Sequence, residues 1–250
     1  MSQFSEQTGG KTIYGATVGI LMLHTHFPRI PGDIGNALTW QFPVHYKIVK
    51  GATPDKIVRN DARLMLPEFI EAGRELIDMG CDGITTNCGF LSLIQDELKN
   101  ALGVPVASSS LMQVPMIANT LPAGQCVGIL TISGSTLSEA HLKAAGVPLN
   151  TPIMSTESGK EFTHKILNDE YEIDFAQCRL DLLNATQALL DEHKELGAIV
   201  LECTNMVPFA ADIRALSGLP VYSIYSLVNW FQQGLTPQRF STVIDDTRKT

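Results

Sequence analysis

Residues 197–206, GAIVLECTNM, read as a buried strand that ends at a cysteine and continues through a short polar turn into a helix. Residues 82–90, DGITTNCGF, repeat this arrangement. Glycine, proline and valine recur 15, 17 and 18 residues after both Cys88 and Cys203. The sequence therefore indicates an internal duplication, with one cysteine at the end of a strand in each half.

The beginnings of the two halves also match. Residues 17–23 and 126–132 are short apolar runs that share Val-Gly-Ile-Leu, and such runs are typical of strands buried on both faces. Helical patterns alternate with the strands, which predicts parallel sheets built from βαβ units. We therefore predict an α/β fold of two pseudosymmetric domains, each a parallel sheet flanked by helices, with an active-site cleft between them. The predicted bounds are 1–121, 122–225, and 226–250 for a C-terminal helix and tail that packs back on the first half.

Composition limits the partners of the chain. Its 250 residues carry a net charge of −8 without a cluster of lysine or arginine, which argues against a nucleic-acid partner or an anionic membrane. No apolar run approaches the ~18 residues that a membrane span requires, and the N-terminus lacks a signal core. Five unevenly spaced cysteines without a Cys-x-x-Cys pair predict reduced thiols in a cytoplasmic protein. We expect no metal and no cofactor.

Two cysteines at strand ends suggest a particular chemistry. Ligands of open parallel sheets bind at the carboxyl ends of the strands, so Cys88 and Cys203 are expected to face one cleft from opposite sides. Each precedes a helix, whose N-terminal partial charge can lower the pKa of the thiol. One thiolate can then take a proton from carbon while the opposite thiol returns one on the other face, which inverts a stereocentre.

The same stretches resemble a known family. Residues 202–208, ECTNMVP, resemble the second cysteine motif of the aspartate/glutamate racemase superfamily, which reads Gly-Cys-Thr-His followed by Pro. Residues 85–88 resemble its first cysteine turn, and residues 127–135 resemble the strand and turn that open its second domain. The resemblance covers about residues 14–230. It implies a cofactor-independent enzyme that uses cysteines as acid and base.

The sequence departs from the family pattern at several positions. Asn205 stands where the motif has histidine, Gly89 stands where it has asparagine, and residues 23–26 (LHTH) replace Asp-Ser-Gly. A glutamate racemase of the cell-wall pathway is therefore not favoured. The proline-rich loop 24–43 is expected to shape the pocket.

Together, the pattern and the resemblance predict a site. Cys88 and Cys203 are the predicted catalytic residues. The predicted substrate-binding residues are Thr86, Asn87, Gly89, Thr204, Asn205 and Ser135. Cys81, Cys126 and Cys178 are interpreted as packing residues.

Three functions agree with this site. The leading hypothesis is a racemase or epimerase of an amino acid or related small carboxylate, and the expected assembly is a homodimer or a higher homo-oligomer. An enzyme similar to maleate isomerase or arylmalonate decarboxylase is the second hypothesis. A non-catalytic protein that binds a small acid is the third.

Overall fold

The protein, described by a computed structural model over residues 8–240, contains two four-stranded sheets. All strand pairs are parallel. The first sheet has the order β2-β1-β3-β4, with β1 Val18–Leu23, β2 Val44–Val49, β3 Gly83–Thr86 and β4 Val106–Ala107. The second has the order β6-β5-β7-β8, with β5 Cys126–Thr131, β6 Ile153–Ser155, β7 Leu196–Leu201 and β8 Val221–Tyr222. The predicted α/β fold of two similar parallel halves is confirmed.

Eight α-helices flank the sheets in the described part of the chain. Those of the first half are α1 Leu66–Asp78, α2 Gln95–Leu102 and α3 Val114–Ala118. Those that follow are α4 Glu139–Ala144, α5 Phe162–Leu167, α6 Phe175–Glu192, α7 Ala210–Ser217 and α8 Ile224–Leu235. None of the helices within residues 8–240 is both long and apolar enough to cross a bilayer.

The matched glycines and prolines have the same structural role in both halves. Gly103 follows α2 and Gly218 follows α7, and both adopt the left-handed conformation with φ of +68° that ends a helix. The carbonyl of Pro105 then accepts a hydrogen bond from Ile84 in β3, and that of Pro220 accepts one from Ile199 in β7. The repeat in the sequence is thus a repeated helix end followed by a repeated strand pairing.

The C-terminal helix crosses between the halves. Four residues of α8 pack in one buried cluster with residues of β1 and β4 in the first sheet: Ile224, Leu227, Val228 and Phe231. This contact is close, because a Cβ on Gly83 of β3 would lie 2.6 Å from the Phe231 ring. Residues 241–250 of the predicted C-terminal unit lie outside the described residues, and the boundary between residues 121 and 122 stays a prediction.

Candidate active site

Cys88 and Cys203 both line one cavity between the two halves. Cys88 follows β3 and Cys203 follows β7, in each case after one intervening residue. Each cysteine directly precedes a short 3-10 helix. Both side chains are buried, and the cavity that they line is small, with a volume of about 30 Å³. The internal duplication therefore places one thiol from each half on the same small cavity.

The wall of the cavity is mostly apolar. Loop 24–43 contributes Phe27 and Arg29, and α5 contributes Ile166 and Leu167. The polar lining residues that matter below are Arg29, Asn87, Glu202 and Asn205. In the part of the chain that the structure describes, no group of three or more His, Cys, Asp or Glu side chains could hold a metal ion.

The two thiols are harder to ionise than the sequence suggested. Burial raises the pKa of Cys88 to about 12, and the nearby charge of Glu202 contributes to the rise. Burial and Glu202 likewise raise the pKa of Cys203 well above its usual value. Backbone N–H groups at the starts of the short helices act to lower both pKa values, as expected, but loss of water outweighs them. Both thiols are therefore neutral in this structure at neutral pH.

Glu202 was missed as a site residue by the sequence analysis. Its carboxyl group is buried on the cavity, where Oε2 accepts a 2.9 Å hydrogen bond from Thr131 Oγ1. Burial raises the pKa of Glu202 to about 7, and its hydrogen bonds only partly oppose this. The signal was present in the sequence, since an acidic residue directly follows the fully buried strand β7.

Loop 24–43 connects a cation to one of the thiols through hydrogen bonds. Arg29 donates to Asp33 Oδ1 at 2.7 Å and to Thr25 Oγ1 at 2.8 Å. Asn205 donates through its amide to the other oxygen of Asp33, and the thiol of Cys203 donates to Asn205 Oδ1 at 3.5 Å. The sequence analysis did not assign Arg29 or Asp33 to the site. Asp33 thus orients both the guanidinium and the amide beside Cys203.

The same loop is attached to the second half near α5. The backbone N–H of His26 and its ring Nδ1 contact the carboxylate of Asp169, with the ring contact at 2.7 Å. Asp169 adopts a φ of +55°, which is uncommon for a residue other than glycine. This attachment holds Phe27 of the loop and Ile166 of α5 on the wall of one cavity.

The predicted substrate-binding residues separate into two groups. Asn87, Gly89 and Asn205 line the cavity with the two cysteines. Thr86 donates to the carbonyl of Ser108 at 2.6 Å, and Thr204 donates to the carbonyl of Asn87 at 2.7 Å. Neither threonine lies on the cavity wall. Their contacts with a substrate stay a prediction, and in this structure their hydroxyls brace the backbone of the two cysteine turns.

We expect Thr204→Val to destabilise the protein by about 1–2 kcal/mol, because it leaves the buried carbonyl of Asn87 without its donor across the two halves. Urea denaturation gives the free energy of unfolding of both proteins. Thr120→Val is the control, since the Thr120 hydroxyl bonds within its own turn and the residue is exposed. Equal effects of the two changes would contradict a bracing role for Thr204.

Ser135, the remaining predicted substrate contact, lies outside the cavity lining and bonds to Glu157. This carboxylate accepts hydrogen bonds from the hydroxyls of Ser133, Ser135 and Ser155 and from the backbone of Gly134 and Ser135. Burial acts to raise the pKa of Glu157, but these donors outweigh it and hold the pKa at about 2. Glu157 therefore fixes the turn after β5.

The depressed pKa predicts the pH range in which Glu157 stabilises the fold. Above about pH 4.5 both the folded and the unfolded chain hold the carboxylate, and the hydrogen bonds stabilise the fold; this contribution is lost as the pH falls through 4.5 towards 2. We expect Glu157→Gln to lower the free energy of unfolding at pH 7 and to cost less at pH 3. Urea denaturation at both pH values measures this. Glu172→Gln, at an exposed position, is the control, and an equal cost at both pH values would contradict the prediction.

The architecture described above is shared with solved enzymes. No family model matches the chain. Unliganded arylmalonate decarboxylase aligns with a TM-score of 0.55 at 13% identity, covering 90% of this chain and 94% of that one. Allantoin racemase from Pseudomonas fluorescens aligns with a TM-score of 0.54 at 15% identity, covering 90% of this chain and 99% of that one. Glutamate racemase from Bacillus anthracis aligns with a TM-score of 0.55 at 14% identity, covering 88% of this chain and 82% of that one. The chain therefore has the same α/β fold as these racemases and this decarboxylase.

The proteins that are similar in sequence are lyases, not racemases. A dimethylsulfoniopropionate lyase from Durusdinium sp. clade D is 26% identical over 229 residues, which cover 88% of this chain and 75% of that protein. Dimethylsulfoniopropionate lyase 7 from Emiliania huxleyi (strain CCMP1516) is 26% identical over 236 residues, which cover 88% of this chain and 67% of that protein. The sequence relatives are thus lyases, whereas the structural neighbours include racemases and a decarboxylase.

Proposed function

We infer that the protein is an enzyme that removes the α-proton of a small carboxylate with a cysteine thiolate, and that the reaction is an elimination. The observation that carries this inference is the pair of thiols, Cys88 and Cys203, on one small buried cavity. The similarity to dimethylsulfoniopropionate lyases supports elimination as the outcome. Reduced cysteines of this kind also suit a cytoplasmic enzyme.

Dimethylsulfoniopropionate illustrates the proposed step. Its sulfonium group lies on the carbon β to the carboxylate, so it is a leaving group once the α-carbon loses a proton. The electron pair of the α C–H bond forms the carbon–carbon double bond, and the bond between the β-carbon and sulfur breaks. Dimethyl sulfide and acrylate result, and the proton passes from the thiol to solvent. The enzyme has to supply a base and stabilise the charge that develops at the carboxylate.

Cys88 is the better candidate for the base. Backbone N–H groups of Phe90 and Leu91 and the charge of Arg29 all act to lower its pKa, although burial and Glu202 dominate. Around Cys203 a backbone N–H of Asn205 also acts to lower the pKa, but Cys88 and Asp33 add to the effects of burial and Glu202 that raise it. Cys88 therefore ionises first, and Cys203 keeps its proton and its hydrogen bond to Asn205.

Racemisation is the second candidate, and one observation favours it. The two thiols come from opposite halves of a pseudosymmetric fold, as two bases on opposite faces of a stereocentre must. The first step is the same as in elimination, because a thiolate takes the α-proton. The outcomes differ in the substrate, since a racemase acts on a chiral α-carbon without a β leaving group.

Proton NMR in deuterium oxide separates these functions. The protein is incubated with dimethylsulfoniopropionate, L- and D-amino acids, hydantoins, maleate and arylmalonates. Acrylate and dimethyl sulfide are expected. Exchange of an α-proton together with the mirror-image product would instead establish a racemase, and fumarate or an arylacetate would establish the isomerase or decarboxylase hypothesis. No change in any compound would contradict an enzyme of these classes and favour a binding protein.

A further inference from the structure

The side chain of Glu202 ends in a buried oxygen that has no hydrogen-bond partner among the described residues. Glu202 is 1% exposed and lies on the wall of the cavity that Cys88 and Cys203 also line. Oε2 accepts from Thr131 Oγ1 at 2.9 Å and weakly from the backbone N–H of Ile132 at 3.5 Å. Within residues 8–240, Oε1 has no hydrogen-bond partner. Such atoms are few in native proteins, and each requires an explanation.

The opposite half of the molecule leaves room for this oxygen. A Cβ on Gly89 would lie 2.1 Å from Glu202 Oε1 and 2.4 Å from the backbone oxygen of Glu202. Any side chain at position 89 would therefore occupy the place of the carboxyl group. Glycine after the first cysteine and glutamate before the second are thus complementary features of one site.

An unpaired carboxylate in this wall needs a positive partner. Ionised carboxylates are strongly disfavoured in apolar surroundings unless a charge or several donors compensate them. Among the described lining residues, Arg29 is the single cation, and two of its nitrogens already bond to Asp33 and Thr25. The missing partner of Glu202 is therefore expected to arrive with the ligand.

We propose that Glu202 is the binding subsite for the positively charged group of a zwitterionic substrate, a methylated sulfonium or ammonium group carried by a small carboxylate. The proposal rests on the proposed function in placing the substrate in this cavity. Such a group has methyl surfaces and a diffuse charge, so it suits a mostly apolar wall that carries one carboxylate. Arg29, whose guanidinium has five donors, is left to bind the substrate carboxylate.

This subsite also connects substrate binding to the chemistry. The charge of Glu202 contributes to the raised pKa of both Cys88 and Cys203. A cation bound beside Glu202 offsets that charge, so it lowers the pKa of both thiols and favours the thiolate that the reaction needs. The thiols are therefore ionised more readily when the cation is bound than when it is not.

Two probes of the same shape test the charge preference. In 3-(trimethylammonio)propionate a quaternary nitrogen replaces the quaternary carbon of 4,4-dimethylpentanoate, so the pair differ by one positive charge. Isothermal titration calorimetry on the full chain is expected to show at least about tenfold tighter binding of the cationic probe, because an ion pair in a buried site is weakly screened. In Glu202→Gln the preference is expected to disappear, while Glu172→Gln, at an exposed position, keeps it.

A pH series on the unmodified protein tests the same idea without a substitution. Affinity for the cationic probe is expected to rise between pH 6 and pH 8, because the pKa of Glu202 is about 7 and only the carboxylate attracts the probe. The other charged or titratable groups at this wall are Cys88 and Cys203, which stay neutral over this range, and Arg29 with its partner Asp33. Affinity for 4,4-dimethylpentanoate, which lacks the positive charge, is expected not to rise over the same range.

Several results would overturn the proposal. These are equal affinities of the unmodified protein for the two probes, a preference that survives in folded Glu202→Gln, or no binding of either probe at millimolar concentration. The proposed function is assayed separately by the NMR experiment. A charge preference without any turnover would refute the proposed function alone, and turnover without a charge preference would refute only the role of Glu202.

Discussion

Replacing Cys88 with alanine is expected to reduce turnover of the active substrate by about 10²–10⁴-fold, the usual contribution of a positioned acid or base. Two backbone N–H groups and the charge of Arg29 act to lower the pKa of Cys88 and so stabilise its thiolate. No other cysteine can replace it as base on that side of the cavity. The rate is measured by product formation in the NMR assay. Cys126→Ala is the matched control, because Cys126 is a thiol outside the cavity at the start of β5.

The matching variant Cys203→Ala distinguishes the two candidate reactions. Racemisation requires both thiols, so this variant is expected to be as inactive as Cys88→Ala if the enzyme is a racemase. Elimination requires a single base, so Cys203→Ala is then expected to keep substantially more activity than Cys88→Ala. Full activity of folded Cys88→Ala would refute the assignment of the base in both cases.

Replacing Gly89 with alanine is expected to destabilise the protein by about 3 kcal/mol, the upper end of the usual cost of overpacking. The added methyl would lie 2.4 Å from the backbone oxygen of Glu202, which cannot rotate away, and 2.1 Å from its carboxylate. The two cysteine turns must separate to make room. Urea denaturation measures the free energy of unfolding, and a lower melting temperature, by about 6–12 °C for a chain of this size, is the second measure.

Gly234→Ala is the control for this change. Gly234 lies near the end of α8 with no atom within 4 Å of an added Cβ, so alanine is expected to be neutral or to stabilise the helix by up to ~1 kcal/mol. A Gly89→Ala protein as stable as the unmodified one would show that Gly89 and Glu202 are farther apart in solution than in this structure.

The unpaired oxygen of Glu202 and the raised pKa values of the thiols have one physical origin. All three groups are buried at this cavity, so each ionised form lacks most of the solvation that it has at the surface. Solved racemases and a decarboxylase share this fold, which agrees with the rule that a scaffold supports many reactions. The charges placed around the two thiols are therefore the features to compare when the reaction is determined.

Much of the architecture could be predicted from the sequence. Residues 18–23 and 196–201 are continuous apolar runs, and every residue in both strands is buried. Local periodicity and composition encode such strands directly, and a duplicated pattern implies a duplicated fold. The spacing of Gly103 and Gly218 after the two cysteines likewise encodes a left-handed helix end, which depends on the glycine itself and not on distant residues.

The sequence by itself thus determined the two parallel halves and the position of a cysteine at the end of β3 and after β7. Only the tertiary structure decided the electrostatics of the site. The pKa values of Cys88 and Cys203 depend on burial and on Glu202, and the free oxygen of Glu202 depends on Gly89, which is 113 positions away in the chain. These effects follow from which groups share a cavity, and local sequence carries no record of contacts made across two halves.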